Sequence, residues 1–578
     1  MAAAIMPDIW SDGKLFAYSG LDGPTSWAHT LVGGACTDPF GIALHLGPDL
    51  MLAFGGRLEA QDGRLVLGDA AHLGAQTGDG AGDLRLAFAD CWTLAGQVTG
   101  SLSVRLHGPP QTEAGFVELL TAERDGLIRW CLALSPDSGR EARRRAEAGM
   151  AADLDALIAA RARFVRDLDA SGLAEGADER TFRKCAEVLK LNARAPEGRI
   201  GRRWTTPDVW PHRHMWLWDS AFHAIGWREL DGEMAQDAIL AVIELQEPDG
   251  KIHLCDAPQP QNQRHTQPPV LAWSAWRVFE ATGDRDFLRA CYEPLGRFIA
   301  WLFAHRDING NGLLEWLKEF RVERCRCGES GWDNSPRFDR EIIDDHIDIN
   351  AMAVQEMQML ARMAEALGYS SDWQARADAL AARVNERLWH EEIGLYFDRG
   401  PGEDPGEWMT MKSAACFLPL IAGIPTQEQA RCMVEEHLTN EREFWGDTPV
   451  PTVAFDEPQY SDDMWRGPTW MNVNFLIWEG LHRYGFHDIA AELRRRSMAA
   501  IEKWYCGVEA ALGGVFEYYD PRGAVHPFWL HRKGGQCGIG GISVIRDYGW
   551  TAATYVAWCR RGEAMRCEEE IAYDRSAD

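Results

Sequence analysis

At 578 residues, with 46% hydrophobic and 25% charged residues, the chain has ordinary globular composition and enough length for a large buried core and more than one domain. Its formal net charge of −28 repels phosphate backbones and anionic lipid heads, which excludes nucleic acid and membrane as expected partners. The fourteen Cys are scattered, with one CxC at Cys325 and Cys327 and no CxxC, so neither a zinc site nor a disulfide framework is expected.

The N-terminal stretch Met1-Ala2-Ala3-Ala4-Ile5-Met6-Pro7-Asp8 has no basic n-region or apolar h-region, and no apolar run reaches membrane-spanning length. A cytoplasmic protein is the expectation. Up to about residue 140 come short apolar or alternating runs, Gly41–Leu46, Leu50–Phe54, Arg64–Leu67, Leu84–Phe88, Gly100–Leu106 and Leu127–Leu134, broken by Gly, Asp and Pro. That is the pattern of a β-sandwich, assigned to residues 1–140. Glu141–Arg166 is Ala- and Arg-rich with helical periodicity, and it predicts a helical linker over 141–175.

Beyond it, helical patterns recur near 178–193, 219–246, 267–282, 287–305, 345–367, 371–389, 411–421, 426–437, 469–484, 487–503 and 549–560. The βαβ alternation of a parallel-sheet enzyme is missing, and so is a fixed-period repeat. Paired helices closed into a toroid over 176–578 are expected, making the whole chain mainly α behind its β-sandwich. Several helix starts are crowded with Trp, Gln, Asn and Arg: Trp218-Asp219-Ser220, Thr266-Gln267-Pro268-Pro269 and Arg466-Gly467-Pro468-Thr469. Pro with Asp or Thr beside it is ordinary start chemistry, but the aromatic and amide residues suit one rim of a toroid that binds a polar ligand. Trp is used 25 times, against 12 Tyr. Most indoles serve a core, yet indole faces also pack on the C–H faces of sugar rings. Loops near 256–266 and 321–328 are placed to close over such a pocket.

Two acidic, aromatic stretches carry the chemistry: Glu329-Ser330-Gly331-Trp332-Asp333-Asn334-Ser335-Pro336 and Phe516-Glu517-Tyr518-Tyr519-Asp520-Pro521. Glycosidic bond cleavage needs one carboxylic acid to protonate the leaving oxygen and one carboxylate to activate water. Asp333, flanked by Trp332 and Asn334, is the candidate acid, because partial desolvation keeps a carboxyl group protonated. Glu517, between Phe516 and Tyr518, is the candidate base, and Glu329 is left as a binding or structural acid. Asp219 suits either a helix N-cap or an acceptor of sugar hydroxyls. Asp307, Asn309 and Asn311, with Gly312 in sixth place, resemble the start of an EF-hand calcium loop, although Lys318 stands where the closing Glu belongs; an Asn-Gly turn explains the same residues. Arg202-Arg203-Trp204 and His212-Arg213-His214 form a basic patch suited to a substrate carboxylate or to local acids.

Five stretches together resemble glycoside hydrolase family 63 and its (α/α)6-barrel clan, which includes the trehalases. They are Met215–His223, Glu329–Ser335, Trp465–Asn474, Phe516–Pro521 and Tyr548–Ala553, in the family's order across roughly 200–560. The resemblance implies an inverting enzyme, with Asp333 as general acid and Glu517 as general base. It implies substrate contacts from Trp218, Asp219, Gln267, Trp332, Asn334, Arg466, Gly467, Asn472 and Trp550. The leading expectation is an exo-acting α-glycoside hydrolase on a short soluble glycoside that requires no cofactor, with a structural calcium at the Asp307 loop as an open reading. Gln246 and Gln267 lie in stretches similar to the mannosylglycerate and glucosylglycerate hydrolase subgroup. The N-terminal β region instead resembles the accessory sandwich of larger members and of debranching-enzyme-like proteins. A sugar epimerase on a similar toroid and a non-catalytic carbohydrate-binding protein are the competing readings.

Overall fold

The computed structural model describes residues 5–47, 49–261, 263–319, 325–340, 345–402, 406–533 and 544–560; residues 321–324 of the loop expected to close over a pocket lie outside them. Two antiparallel sheets occupy the chain up to Ser135. The larger runs, from edge to edge, through Gln111–Thr112, Gly115–Arg124, Leu127–Ser135, Thr93–Val98, Gly80–Asp90, Ala70–Thr77 and Leu58–Val66. The smaller runs through Leu15–Phe16, Gly33–Thr37, Phe40–Leu44, Met51–Ala53 and Arg105–His107. Trp10, Phe16, Phe40, Phe54 and Trp130 join both sheets in one apolar core.

The period of two along a strand sets the faces. Leu84, Leu86 and Phe88 point into that core, while Ala87 between them packs with Leu154 and Val165 on the opposite face. This outer face is covered by α1 (Gly139–Ala151) and α2 (Leu154–Arg166). The single helix expected over Glu141–Arg166 is two, because the Asp153 side chain accepts the N–H groups of Asp155 and Ala156 and starts a new helix.

The remaining helices are α3 (Glu179–Asn192), α4 (Leu217–Trp227), α5 (Gly232–Glu244), α6 (Leu271–Thr282), α7 (Arg285–Arg306), α8 (Ile347–Leu367), α9 (Trp373–Leu388), α10 (Gln427–Cys432), α11 (Met471–Arg483), α12 (His487–Glu502) and α13 (Gly549–Trp558). A tight 3-10 segment, Ala414–Ala422, stands where a helix was expected, with Pro419 inside it. The expected helix 219–246 is α4 and α5, split where Asp231 caps α5. The segment Gln267–Val270 is irregular rather than helical.

Packing follows a ring. Helix α4 contacts α6, α6 contacts α8, α8 contacts 414–422, that segment contacts α11, α11 contacts α13, and α13 returns to α4. Every residue of α4, of 414–422 and of α13 is buried, as an inner ring requires. Helices α5, α7, α9 and α12 expose polar faces and pair with the inner members. This is an (α/α)6 toroid. "Mainly α" therefore describes the toroid and not the whole chain, which carries sheets of seven and five strands ahead of it.

Helix α3 joins the two regions with buried charges. Lys184 Nζ lies 2.7 Å from Glu187 and 2.7 Å from Asp547, and Lys190 Nζ lies 2.5 Å from Asp69 and 2.9 Å from Asp22. Glu187 also accepts the Gly68 N–H at 2.6 Å. Breaking one member would strand a buried charge, a cost of about 3–5 kcal/mol.

Candidate active site

The inner helices α4, α6, α8, α11 and α13 begin at Trp216, Val270, His346, Trp470 and Tyr548 without a side-chain cap. The conspicuous residues of the sequence gather at these starts and in the loops before them. Trp332 stacks on Trp465 (centroids 5.0 Å apart), Trp465 on Trp470 (3.6 Å), and Trp470 packs against Tyr518 (4.8 Å). Trp218 and Trp550 meet edge to face at 5.1 Å, and Trp550 reaches Trp470 at 5.5 Å. The result is a continuous, almost wholly buried aromatic cluster linking the Asp333 loop to the Glu517 segment. Gly331 sits against Trp218 with φ +75, and a Cβ there would come within 2.5 Å of the indole. Only glycine allows that approach in that backbone conformation.

Glu329 and Asp333 part company. Glu329 is buried and saturated: it accepts the N–H groups of Thr266 (2.9 Å) and Leu317 (2.8 Å) and both arms of the Arg306 guanidinium (2.6 and 2.8 Å). It is a structural node that ties the Asp333 loop to α7. Asp333 keeps a carboxylate that is 21% exposed, paired with Lys533 Nζ at 2.6 Å, while its carbonyl accepts the N–H groups of Arg326 and Cys327. The Lys533 ammonium is held above its ordinary pKa by the Asp333 charge, against burial.

Glu517 is 2% exposed. Arg532 Nε and Nη2 donate to its two oxygens at 3.2 and 3.1 Å, a fork that offsets the desolvation of a buried carboxylate. Burial, the largest single effect, lowers the Arg532 pKa, but the Glu517 charge together with Tyr518 and the Glu517 hydrogen bonds makes the net shift upward. Consecutive residues Arg532 and Lys533 thus hold the two candidate carboxylates, one each. Asp219 is the third carboxyl of the group and the third residue of α4, not its cap. Burial first, and then the charges of Asp208 and Glu517, push its pKa well above the ordinary carboxylate range. Tyr548 hydrogen-bonds to it, and its Oδ1 has no partner among the described residues. A neutral Asp219 can both donate to and accept from a sugar hydroxyl.

The other expected contacts divide. Gln267 Oε1 accepts the Trp218 N–H at 3.2 Å. Asn334 accepts the Trp465 N–H at 3.0 Å, and its own carbonyl takes a bond from Arg466 Nη1 at 3.0 Å. Arg466 is otherwise forked onto Asp339 at 3.0 and 2.8 Å, so it clamps the Asp333 loop. A Cβ on Gly467 would come within 2.0 Å of the Ser461 carbonyl, a backbone-packing role. Asn472 is fully buried, and neither end of its carboxamide has a hydrogen-bond partner among the described residues. Trp550 Nε1 lies 3.5 Å from the Glu517 carbonyl.

Gln246 is not part of this group. Its amide donates to the Gly250 and Pro294 carbonyls at 2.8 Å each and accepts from Arg297 at 2.6 Å, so its polar atoms are spent on the loop after α5 and on α7. In the candidate calcium loop, Asp307, Asn309 and Asn311 all make protein contacts. Asp307 accepts the Gly312 N–H, Asn311 Oδ1 accepts the Leu313 N–H, and both Asn amides donate to Asp345 at 3.0 and 2.8 Å. The loop satisfies itself as a turn, and the described residues contain no cluster of three or more His, Cys, Asp or Glu fit for a metal. The basic patch is mostly paired locally: Arg202 with Glu244, Arg203 with Asp237 at 2.6 Å, and Arg213 over the Trp210 ring. His212 alone among them reaches Arg532.

Composition and spacing missed Arg532, Lys533, Tyr548 and Asp208. The legible signal was Tyr548 directly before Gly549-Trp550 and an Arg-Lys pair after the Glu517 stretch. A cavity of about 710 Å³ lies between the smaller sheet and residues 528–531 and 544–546, but neither Asp333, Glu517 nor Asp219 borders it.

The model of the mannosylglycerate hydrolase MGH1-like glycoside hydrolase domain matches residues 212–551. The chain is 27% identical over 468 residues to the mannosylglycerate hydrolase of Thermus thermophilus, covering 65% of this chain and 100% of that one. It superposes on the crystal structure of a GH63 mannosylglycerate hydrolase, also from Thermus thermophilus, in complex with Tris, with a TM-score of 0.52 and 26% identity over 66% of this chain and 100% of that chain. A bacterial glucoamylase complexed with acarbose matches 100% of this chain and 98% of its own, with a TM-score of 0.62 and 10% identity. That last likeness is one of fold, and it includes the β region. No described helix is long and apolar enough to cross a membrane.

Proposed function

The chain belongs to the mannosylglycerate hydrolase MGH1-like glycoside hydrolase family; it is a glycoside hydrolase, and we propose that Asp333 and Glu517 carry its reaction as general acid and general base. The observation behind this reading is the pair of neighbouring cations, Lys533 on Asp333 and Arg532 on Glu517, flanking one aromatic cluster. Glu517 takes a proton from water as the water oxygen bonds to the anomeric carbon. The bond from that carbon to the glycosidic oxygen breaks, and Asp333 delivers a proton to the departing oxygen, so the anomeric configuration inverts. Inversion needs the carboxyl groups roughly 6.5–9.5 Å apart, with room for the water. The Trp332–Trp465 stack offers the apolar platform for the ring, and Asp219 and Asn472 offer polar contacts to its hydroxyls.

Lys533 bears on the substrate. Its ammonium is paired with Asp333 at 2.6 Å, and a carboxylate on the aglycone can draw it away in one exchange. The reading is therefore an exo-acting hydrolase of a short α-glycoside with an acidic aglycone, of the kind named for the mannosylglycerate hydrolases. The chain is read as a β-sandwich buttress over 1–140, a helical linker over 141–175 and a catalytic domain over 176–578, in a cytoplasmic protein. The test is proton NMR of early turnover on α-mannosylglycerate, α-glucosylglycerate and their methyl esters. Release of the β-anomer first, with the free acids preferred over the esters, is expected. Release of the α-anomer first removes the assignment of the pair, and equal use of the esters removes the acidic aglycone.

A further inference from the structure

Behind Glu517 runs a chain of groups that the proton transfers do not use. Asp208 is fully buried and accepts two bonds from one residue, the His212 backbone N–H at 3.0 Å and His212 Nδ1 at 2.6 Å. A carboxylate on Nδ1 places the ring proton there and leaves a lone pair on Nε2. That Nε2 lies 3.5 Å from Nη2 of Arg532. The same Nη2 donates its other hydrogen to Glu517 Oε1 at 3.1 Å, and Nε donates to Oε2 at 3.2 Å. Donors and acceptors alternate without conflict from Glu517 through Arg532 and His212 to Asp208.

We propose that Asp208 and His212 are positioning residues for the base: neutral His212, fixed by Asp208, holds the Arg532 fork that aims the Glu517 carboxylate. The inference rests on Glu517 being the general base. Its direction is set by charge. Protonated His212 would present an N–H and a positive charge to a guanidinium, so the chain exists only with a neutral ring. The charged and titratable groups around it are Asp208, Arg213 and His214 in its own loop, Arg532 opposite, and Tyr548 at the start of α13 with ring centroids 6.2 Å apart. Arg194, on the strand Ala193–Arg194, adds positive charge beside Asp208. Burial first, and then the charges of Arg213 and His212, lower the His214 pKa.

The test compares kcat and KM from pH 4.5 to 8 for wild type, His212→Phe, His212→Gln and Glu517→Gln, using whichever glycoside the wild type turns over. His212→Phe should lose roughly 10–100-fold in kcat at every pH, with KM little changed, the scale of a lost outer support. His212→Gln, whose side-chain carbonyl accepts from Arg532 without titrating, should recover most of that loss and carry its acid limb to lower pH than wild type. Wild-type kcat in a folded His212→Phe, or an acid limb in His212→Gln that coincides with wild type, overturns the proposal. If His212→Phe does not fold, the position of the His212→Gln limb decides alone. Glu517→Gln separates the two readings: activity there removes the base itself, whereas an inactive Glu517→Gln beside an unimpaired His212→Phe removes only the positioning chain.

Discussion

The Asp333 loop and the Glu517 segment are linked by one buried aromatic cluster and are built differently. The loop is tied down on both sides of its carboxylate, by Glu329 through Arg306 and by Arg466 through Asp339, yet Asp333 itself is 21% exposed and meets one lysine. The Glu517 carboxylate is buried, forked by Arg532 and braced from behind by His212 and Asp208. In the proposed mechanism the acid side has an exchangeable partner, Lys533, and the base side a fixed one, Arg532.

The sharpest way to break the contrast is to neutralise each carboxylate. Asp333→Asn and Glu517→Gln should each lower kcat by roughly 10²–10⁴-fold, the range of a lost general acid or base, with thermal unfolding near wild type. Normal turnover in either variant would end its role. Next in size is Arg532→Met, which leaves a buried carboxylate unpaired and should cost about 3–5 kcal/mol in urea unfolding. Arg337→Met should cost about as much, because Arg337 bridges Asp348 at 2.8 Å and Asp398 at 2.9 Å beneath the Asp333 loop.

The Arg337 bridge also predicts a pH effect. Burial alone would raise the Asp348 pKa, but Arg337 outweighs it and holds the group below its ordinary value. The folded state then binds fewer protons than the unfolded one. This stability is present above the unfolded carboxylate value of about 3.9 and is lost as pH falls through the lower folded value. Unfolding midpoints measured from pH 6 down to pH 2 should fall through this window, and less steeply in Arg337→Met. An unchanged slope would contradict the account.

Lys533→Met should be milder: a stability change within about 1 kcal/mol for a partly exposed pair, with a preference for acidic over neutral aglycones that shrinks or disappears. A loss as large as that of Arg532→Met would erase the difference between the two sides. The smallest effect belongs to a site remote from both. Thr426 and Gln429 form a reciprocal capping box at the start of α10, so Thr426→Ala should cost about 1 kcal/mol in thermal unfolding and leave kcat unchanged.

Much of the toroid was legible because buried inner helices carry long apolar patterns, as in α8 and α11, and because Asp before a polar turn marks outer starts. The break between α4 and α5 was missed although Asp231-Gly232 signalled it, since apolar periodicity runs through both sides. The strand Ala70–Thr77, built of Ala, Gly, His and Gln, has little intrinsic strand preference and is fixed by its neighbours. In the site, the aromatic-acid stretches were readable as motifs. Gln246 was not separable from Gln267, because both follow the same composition and only the fold sends one to Trp218 and the other to Pro294. Arg532 reaches the local Asp208–His212 pair through a contact 320 positions apart in sequence, which no local pattern encodes.

The most direct test of the central claim is hydrolysis of the matching α-glycosyl fluoride by Asp333→Asn and Glu517→Gln, measured as fluoride release. Fluoride leaves without being protonated, so Asp333→Asn should recover most of its lost rate on this substrate while Glu517→Gln stays inactive. Equal recovery in both variants, or recovery in Glu517→Gln alone, would contradict the assignment of acid and base to the two sides.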